Sequence, residues 1–155
     1  MKEQGREFRT VRGYQIKQQE TKSITASMED YLEMIYRNCL TEGYTRTSNL
    51  AEQINVKASS ATKVVQKLAK MGYLDYEKYG IIQLTEKGRD VGEFLLKRHE
   101  TVEDFLKTLG VKDNALIETE LIEHHLSLDT LEKIELLTDF FTSNPDIIER
   151  WRRLI

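Results

Sequence analysis

Apolar residues recur at three- and four-residue intervals through most of the chain, and glycines punctuate the runs. Met28, Tyr31, Leu32, Ile35, Tyr36 and Cys39 share one face of a helix that Ser27 is placed to cap and Gly43 to end. A second helix spans Ser48 to Ile54, with Leu50, Ala51 and Ile54 inward. After the short turn Asn55-Val56-Lys57, a third runs from about Ser59 to Met71, turning Ala61, Val64, Val65 and Leu68 inward. The period then changes. Residues 73–77 and 81–84 read as two short strands around a Tyr79-Gly80 turn. Helical spacing resumes from about Glu86 to Leu109, striped by Val91, Leu95, Val102, Phe105, Leu106 and Leu109. Shorter helices follow over Asn114 to His125, from near Ser127 (Leu128, Leu131, Ile134, Leu137, Phe141), and from Pro145 through Ile148, Trp151 and Leu154.

Helix, short turn, helix, hairpin is the order of a winged helix-turn-helix. The expected fold is therefore mainly α: an arm over 1–26, a winged helix over 27–85 and a helical domain over 86–155. The apolar supply after residue 86 exceeds what one small set of helices can bury, which predicts a subunit interface and a homodimer.

Composition narrows the class. With 39% hydrophobic and 32% charged residues the chain is that of a soluble globular protein. No apolar run approaches the ~20 residues of a membrane span, and the N-terminus has no apolar core of a signal peptide, so no membrane partner is expected and cytoplasm is the expected location. The single Cys39 sits in an apolar stripe and reads as a buried thiol. A net charge of -3 divides unevenly. Residues 44–81 carry six Lys/Arg against three Asp/Glu, whereas 100–155 carry six against thirteen. Phosphate contact is thus expected in the middle of the chain only.

That basic middle holds Ser59-Ser60-Ala61-Thr62-Lys63 and, one turn on, Lys67. Such helices enter the major groove by their N-terminal end. Ser59, Ser60 and Thr62 are short enough to let the backbone approach, and Lys63 and Lys67 can reach phosphate or base edges. Lys78 and Tyr79, at the wing tip, are candidates for backbone contact. Double-stranded DNA is the expected partner, and no small-molecule substrate is implied. A protein-interaction module without metal is the bland alternative.

Two polar clusters interrupt the apolar pattern, Asp30-x-x-Glu33 and Glu120-x-x-Glu123-His124, and His99 joins them from the long helix. Residues three and four apart share one helix face. Taken singly, each has an ordinary explanation, such as Asp30 closing a capping box with Ser27. Glu120, Glu123 and His124, however, fall on the same side as Leu116 and Ile117, and carboxylates on a packing side need a cation. Four carboxylates, two imidazoles and no thiolate suit Mn²⁺, Fe²⁺ or Mg²⁺, and could hold two divalent ions per subunit. A dinuclear metalloenzyme is the alternative from another class, but such sites use Glu-x-x-His on two helices and this chain has no such motif.

The segments Ser27-Met28-Glu29-Asp30-Tyr31-Leu32-Glu33, Ser59 to Leu68, Tyr76-Glu77-Lys78-Tyr79, Arg98-His99-Glu100 and Ile122-Glu123-His124-His125 together resemble the diphtheria-toxin-repressor family. The resemblance implies metal ligands at Asp30, Glu33, His99, Glu120, Glu123 and His124, each of the family's residue type. It implies no catalysis. Aspartate at position 30 is what manganese-responsive members carry, where iron-responsive ones have methionine. An Fe²⁺-responsive repressor is the alternative within the family. The chain departs from the pattern at Gly80-Ile81, where an arginine and a glycine are expected after Tyr79, and it is expected to lack the third, barrel domain of many iron-responsive members.

Overall fold

A computed structural model describes residues 23–155; most of the arm expected over 1–26 lies outside them. The chain divides into two compact units between Leu96 and Lys97, inside one continuous helix. The first unit contains α1 (Ala26–Glu42), β1 (Thr45–Arg46), α2 (Thr47–Ile54), α3 (Ala58–Lys70), β2 (Leu74–Tyr76), β3 (Ile81–Leu84) and the beginning of α4 (Glu86–Leu109). The second holds the rest of α4, then α5 (Ala115–Ile122), α6 (Leu128–Ser143) and α7 (Pro145–Arg152). No helix among the described residues is long and apolar enough to cross a membrane.

The fold is mainly helical, with a winged helix-turn-helix followed by a helical bundle, as the sequence leads one to expect. The helix-turn-helix is α2 and α3, joined through Asn55 in the left-handed region (φ 58). Leu50, Ala61, Val65 and Leu68 are fully buried between these helices and the core, together with Leu32 and Ile35 of α1. The wing is one strand richer than expected. β1 pairs with β3 (Thr45↔Ile82, Arg46↔Ile81), and β3 pairs with β2 (Leu74↔Leu84, Tyr76↔Ile82), both antiparallel. Two residues between a helix-ending glycine and a new helix carry no alternating pattern, so only the pairing reveals β1. Thr47, first residue of α2, donates its hydroxyl to the Gly80 carbonyl (3.2 Å) and so ties the wing to the helix-turn-helix.

Two local expectations change. Thr25, not Ser27, caps α1: its extended backbone lets Oγ1 accept from Met28 N (3.2 Å), while Ser27 is exposed within the first turn. Asp30 is then two positions too far along to close a capping box, and that ordinary explanation for it lapses. Cys39 is half-buried, not buried. Burial pushes its thiol pKa up, with Arg89 opposing, so it remains an unreactive thiol.

In the second unit Val102 and Leu106 of α4 are buried with Ala115, Leu128 and Leu131. Trp151 donates its indole N–H to the Leu109 carbonyl (3.0 Å), satisfying one of the orphan groups at the α4 C-terminus, and its ring meets Phe141 at 6.4 Å.

Gly88 of α4 packs against the backbone of Tyr73, just before β2. A Cβ there would overlap the Tyr73 carbonyl, a backbone atom that cannot rotate aside. Gly88→Ala is expected to lower the stability of the winged helix by about 1–3 kcal/mol, as overpacking does, read as a fall in melting temperature of the purified protein; an unchanged melting temperature would show that the two backbones are free to part.

Candidate metal centre and nucleic-acid interface

The second unit brings together four of the six expected ligands. His99 is 3% exposed, and its Nδ1 lies 3.2 Å from Glu123 Oε2 and 3.4 Å from Glu120 Oε1. It also lies 3.4 Å from Glu123 Oε1. An ionised carboxylate only accepts, so Nδ1 carries the proton here. Glu123 is itself 2% exposed, and its Oε2 accepts no hydrogen bond of sound geometry despite that neighbour. A buried carboxylate with an unsatisfied oxygen is expensive unless a cation meets it. The donor set present thus fits a divalent metal.

Glu123 stands at the centre of two donor groups. Glu120, Glu123 and His124 each offer an atom within 4.8 Å of the others, and Glu123 and His99 do the same. The local backbone makes this possible. α5 ends at Ile122 and the chain tightens into a single 3-10 turn over Glu123–His125, which changes the direction of the side chains that follow.

The face that α5 buries differs from the expected one. Leu116 and Ile117 are 56% and 61% exposed, while Ala115, Thr119 and Glu123, spaced by fours, point inward. Ala115 and Thr119 are small enough for close approach, and Thr119 returns its hydroxyl to the Ala115 carbonyl (2.7 Å), so no polar group is left unpaired there. Glu120 keeps 45% of its side chain exposed yet reaches His99. His125 is exposed.

Two residues of this centre carry signals that the motif reading passes over. Glu103 follows His99 by one helical turn and places Oε2 3.6 Å from Nε2, while Lys107 holds its other oxygen at 2.6 Å. That hydrogen bond raises the Lys107 pKa. With Nδ1 toward Glu120 and Glu123 and Nε2 toward Glu103, the ring is set to ligate through Nδ1, with a carboxylate behind it. The other is Arg98, only 6% exposed, whose Nη2 sits 3.1 Å from His124 Nδ1. Its position falls on the apolar stripe between Leu95 and Val102, where a charge is out of pattern.

In the first unit, Asp30 and Glu33 lie one turn apart on α1. Asp30 is half-buried, and Glu33, with 12% of its side chain exposed, pairs with Arg37 (3.3 Å). Glu29 beside them is buried. On α3, Ser59, Ser60, Lys63 and Lys67 are exposed, opposite the buried Ala61, Val65 and Leu68. Thr62 is half-buried and donates its hydroxyl to the Ala58 carbonyl (2.9 Å), which leaves only its oxygen lone pairs for an outside donor. Lys78 and Tyr79 are exposed on a 3-10 turn at the wing tip, Tyr79 at 90% and in the left-handed region (φ 67).

Residues 23–82 match the family described as iron dependent repressor, N-terminal DNA binding domain, and residues 85–152 match its metal binding and dimerisation domain. The chain belongs to this iron-dependent, or diphtheria-toxin, repressor family and, within it, to the MntR subgroup. It is 46% identical over 132 residues to the HTH-type transcriptional regulator MntR of Oceanobacillus iheyensis, covering 84% of this chain and 90% of that one. To the protein of the same name from Listeria welshimeri it is 46% identical over 126 residues, 81% of this chain and 89% of the other. Among solved structures it is similar to a manganese-dependent transcriptional repressor in complex with manganese (31% identity, TM-score 0.61, 72% of this chain and 52% of that one). It is also similar to the manganese regulator SloR (26% identity, TM-score 0.66, 76% and 55%). The chain spans about half the length of these solved chains. Membership of a family of DNA-binding regulators makes the protein a transcription factor, not an enzyme.

Glu103→Ala should leave the helical content of the protein intact and weaken Mn²⁺ binding by about 10- to 100-fold, the usual cost of losing the group behind a ligating histidine. Equilibrium dialysis with an unchanged affinity would show that Glu103 is only surface charge.

Proposed function

We propose that this protein is a homodimeric, Mn²⁺-activated repressor that binds double-stranded operator DNA in the cytoplasm and controls manganese uptake genes. The observation that carries the reading is the buried Glu123 carboxylate, with an unsatisfied oxygen and with His99, Glu120 and His124 around it. Glu123 would serve two ions if two bind, one with Glu120 and His124, the other with His99. Asp30 and Glu33 are proposed to complete the set from the winged-helix unit. A metal bound there would supply positive charge shared by carboxylates of both units.

Manganese is favoured by oxygen-rich ligation with imidazole and no thiolate, and by aspartate at position 30. Because ligands come from both units, metal occupancy and DNA affinity become one coupled equilibrium. Operator DNA should then tighten metal binding by the factor by which metal tightens DNA binding. The dimer surface is proposed to include the exposed apolar residues Leu116, Ile117, Leu121, Leu136 and Phe140, which water would otherwise cover. Ser59, Ser60, Thr62, Lys63 and Lys67 are proposed to face the major groove, with Lys78 and Tyr79 against the backbone at the wing.

The reading is tested by an operator-binding titration with Mn²⁺, Fe²⁺ and Zn²⁺ at one fixed salt concentration. Mn²⁺ should activate most strongly; activation by Fe²⁺ alone would favour the iron-responsive alternative. Glu123→Gln should abolish the metal-dependent step while the protein stays folded and dimeric, since removing one of several crowded carboxylates relieves repulsion in the metal-free protein. A monomeric or unfolded variant would assign Glu123 to the fold instead.

Lys63→Ala should weaken operator binding without changing Mn²⁺ affinity measured in the absence of DNA. If Lys63 meets a phosphate, cognate and random DNA lose affinity alike and the salt slope falls by about one per contact. If it reads a guanine edge, the loss of ~1–3 kcal/mol is confined to the cognate site. Unaltered binding to both would remove α3 from the role of reader.

A further inference from the structure

The two imidazoles of the centre differ in the partner of one nitrogen. The His99 ring is flanked by carboxylates on both nitrogens, Glu120 and Glu123 on one side and Glu103 on the other. The His124 ring has Glu123 Oε1 3.8 Å from Nε2 but a cation against Nδ1: Arg98 Nη2, 3.1 Å away, on a side chain 6% exposed. A guanidinium is always charged and can only donate. Nδ1 of His124 must therefore be the acceptor, without a proton, and the single proton of the neutral ring resides on Nε2.

That arrangement suits neither route to a metal. Ligation through Nε2 requires its proton to move to Nδ1, which then faces the guanidinium with a proton of its own. Ligation through Nδ1 requires the lone pair that Arg98 now occupies. Ligating histidines normally present their second nitrogen to an acceptor, as His99 does toward Glu103. His124 presents its own to a donor.

From this contrast we infer that Arg98 is an internal competitor of the metal: it holds His124 in the metal-free protein and must release it before His124 can ligate. The inference rests on the reading of His124 as a ligand. That contact stabilises the metal-free form. Arg98 then sets the metal concentration at which the protein responds, and acts on every divalent ion alike, leaving their ranking to the ligands.

The sign of the effect separates this role from a structural one. Arg98→Met keeps the length of the side chain and removes both the donor and the charge. Mn²⁺ binding to the purified protein without DNA should tighten, by roughly 10-fold or more given what a charged hydrogen bond contributes. Arg98→Lys should fall between the two. A residue that merely positioned His124 would give weaker binding when removed, and weaker or unchanged binding to Arg98→Met overturns the proposal.

A second measurement needs no variant. Long-range proton–nitrogen correlation spectra of the metal-free wild-type protein should show His124 with its proton on Nε2 and a bare Nδ1. A proton on Nδ1 overturns the proposal even if Arg98→Met fails to fold. Adding Cd²⁺, which is diamagnetic, tests the underlying reading separately. His124 nitrogen signals that do not move on saturation would remove His124 from the ligand set, whatever the tautomer.

Discussion

Glu123 is a carboxylate buried to 2% exposure with one oxygen that no hydrogen bond satisfies, and much of the second unit is arranged around that fact. In water such a group costs nothing; inside a protein it is tolerated only beside positive charge or a strong donor. The chain meets part of that demand itself, with the His99 N–H 3.4 Å from Glu123 Oε1. What it leaves unmet is the second oxygen of Glu123, in a group of donors that suits a divalent cation. An ordinary folding core removes its polar groups or pairs them. This one keeps a deficit of the kind that a reversible ligand can fill, which is what a sensor requires.

The elements that create the deficit are local and simple. α5 is eight residues long and buries only Ala115 and Thr119 before the chain tightens at Glu123. Small inward residues bring that segment close to α4, and the 3-10 turn then delivers Glu123 and His124 to the same centre. On α4, a single turn separates His99 from Glu103, and Lys107 a further turn on fixes Glu103 in place. Three successive turns of one helix thus supply a proposed ligand, the carboxylate behind it and the cation that pairs with that carboxylate.

Most of this was legible in sequence wherever periodicity was strong. The helix stripes, the glycine stops and the change of period at residue 73 predict the winged helix within a residue or two. The polar clusters point to a metal because hard donors at helical spacing have few other reasons to converge. What sequence hid was decided by packing. Ser27 is as good a cap as Thr25 until the backbone chooses between them. β1 is too short to carry a pattern. The inward face of α5 was misjudged because Leu116 and Ile117 are its most apolar residues, and they are exposed in the single subunit. Arg98 was visible as a charge in an apolar stripe, yet only its contact with His124 gives it meaning.

The hydrogen bond from Thr47 to the Gly80 carbonyl joins the wing to the first turn of the helix-turn-helix. A loop tip held in this way, with Tyr79 already fixed in the left-handed region, has little conformational freedom left to lose on meeting a duplex. On the proposed role of Lys78 and Tyr79 against the duplex, discrimination would come from fit at the moment of encounter and not from rearrangement afterwards. A DNA of the wrong shape is rejected by a stiff surface as poor contact, so residence time, more than the rate of arrival, would distinguish an operator from the rest of a genome.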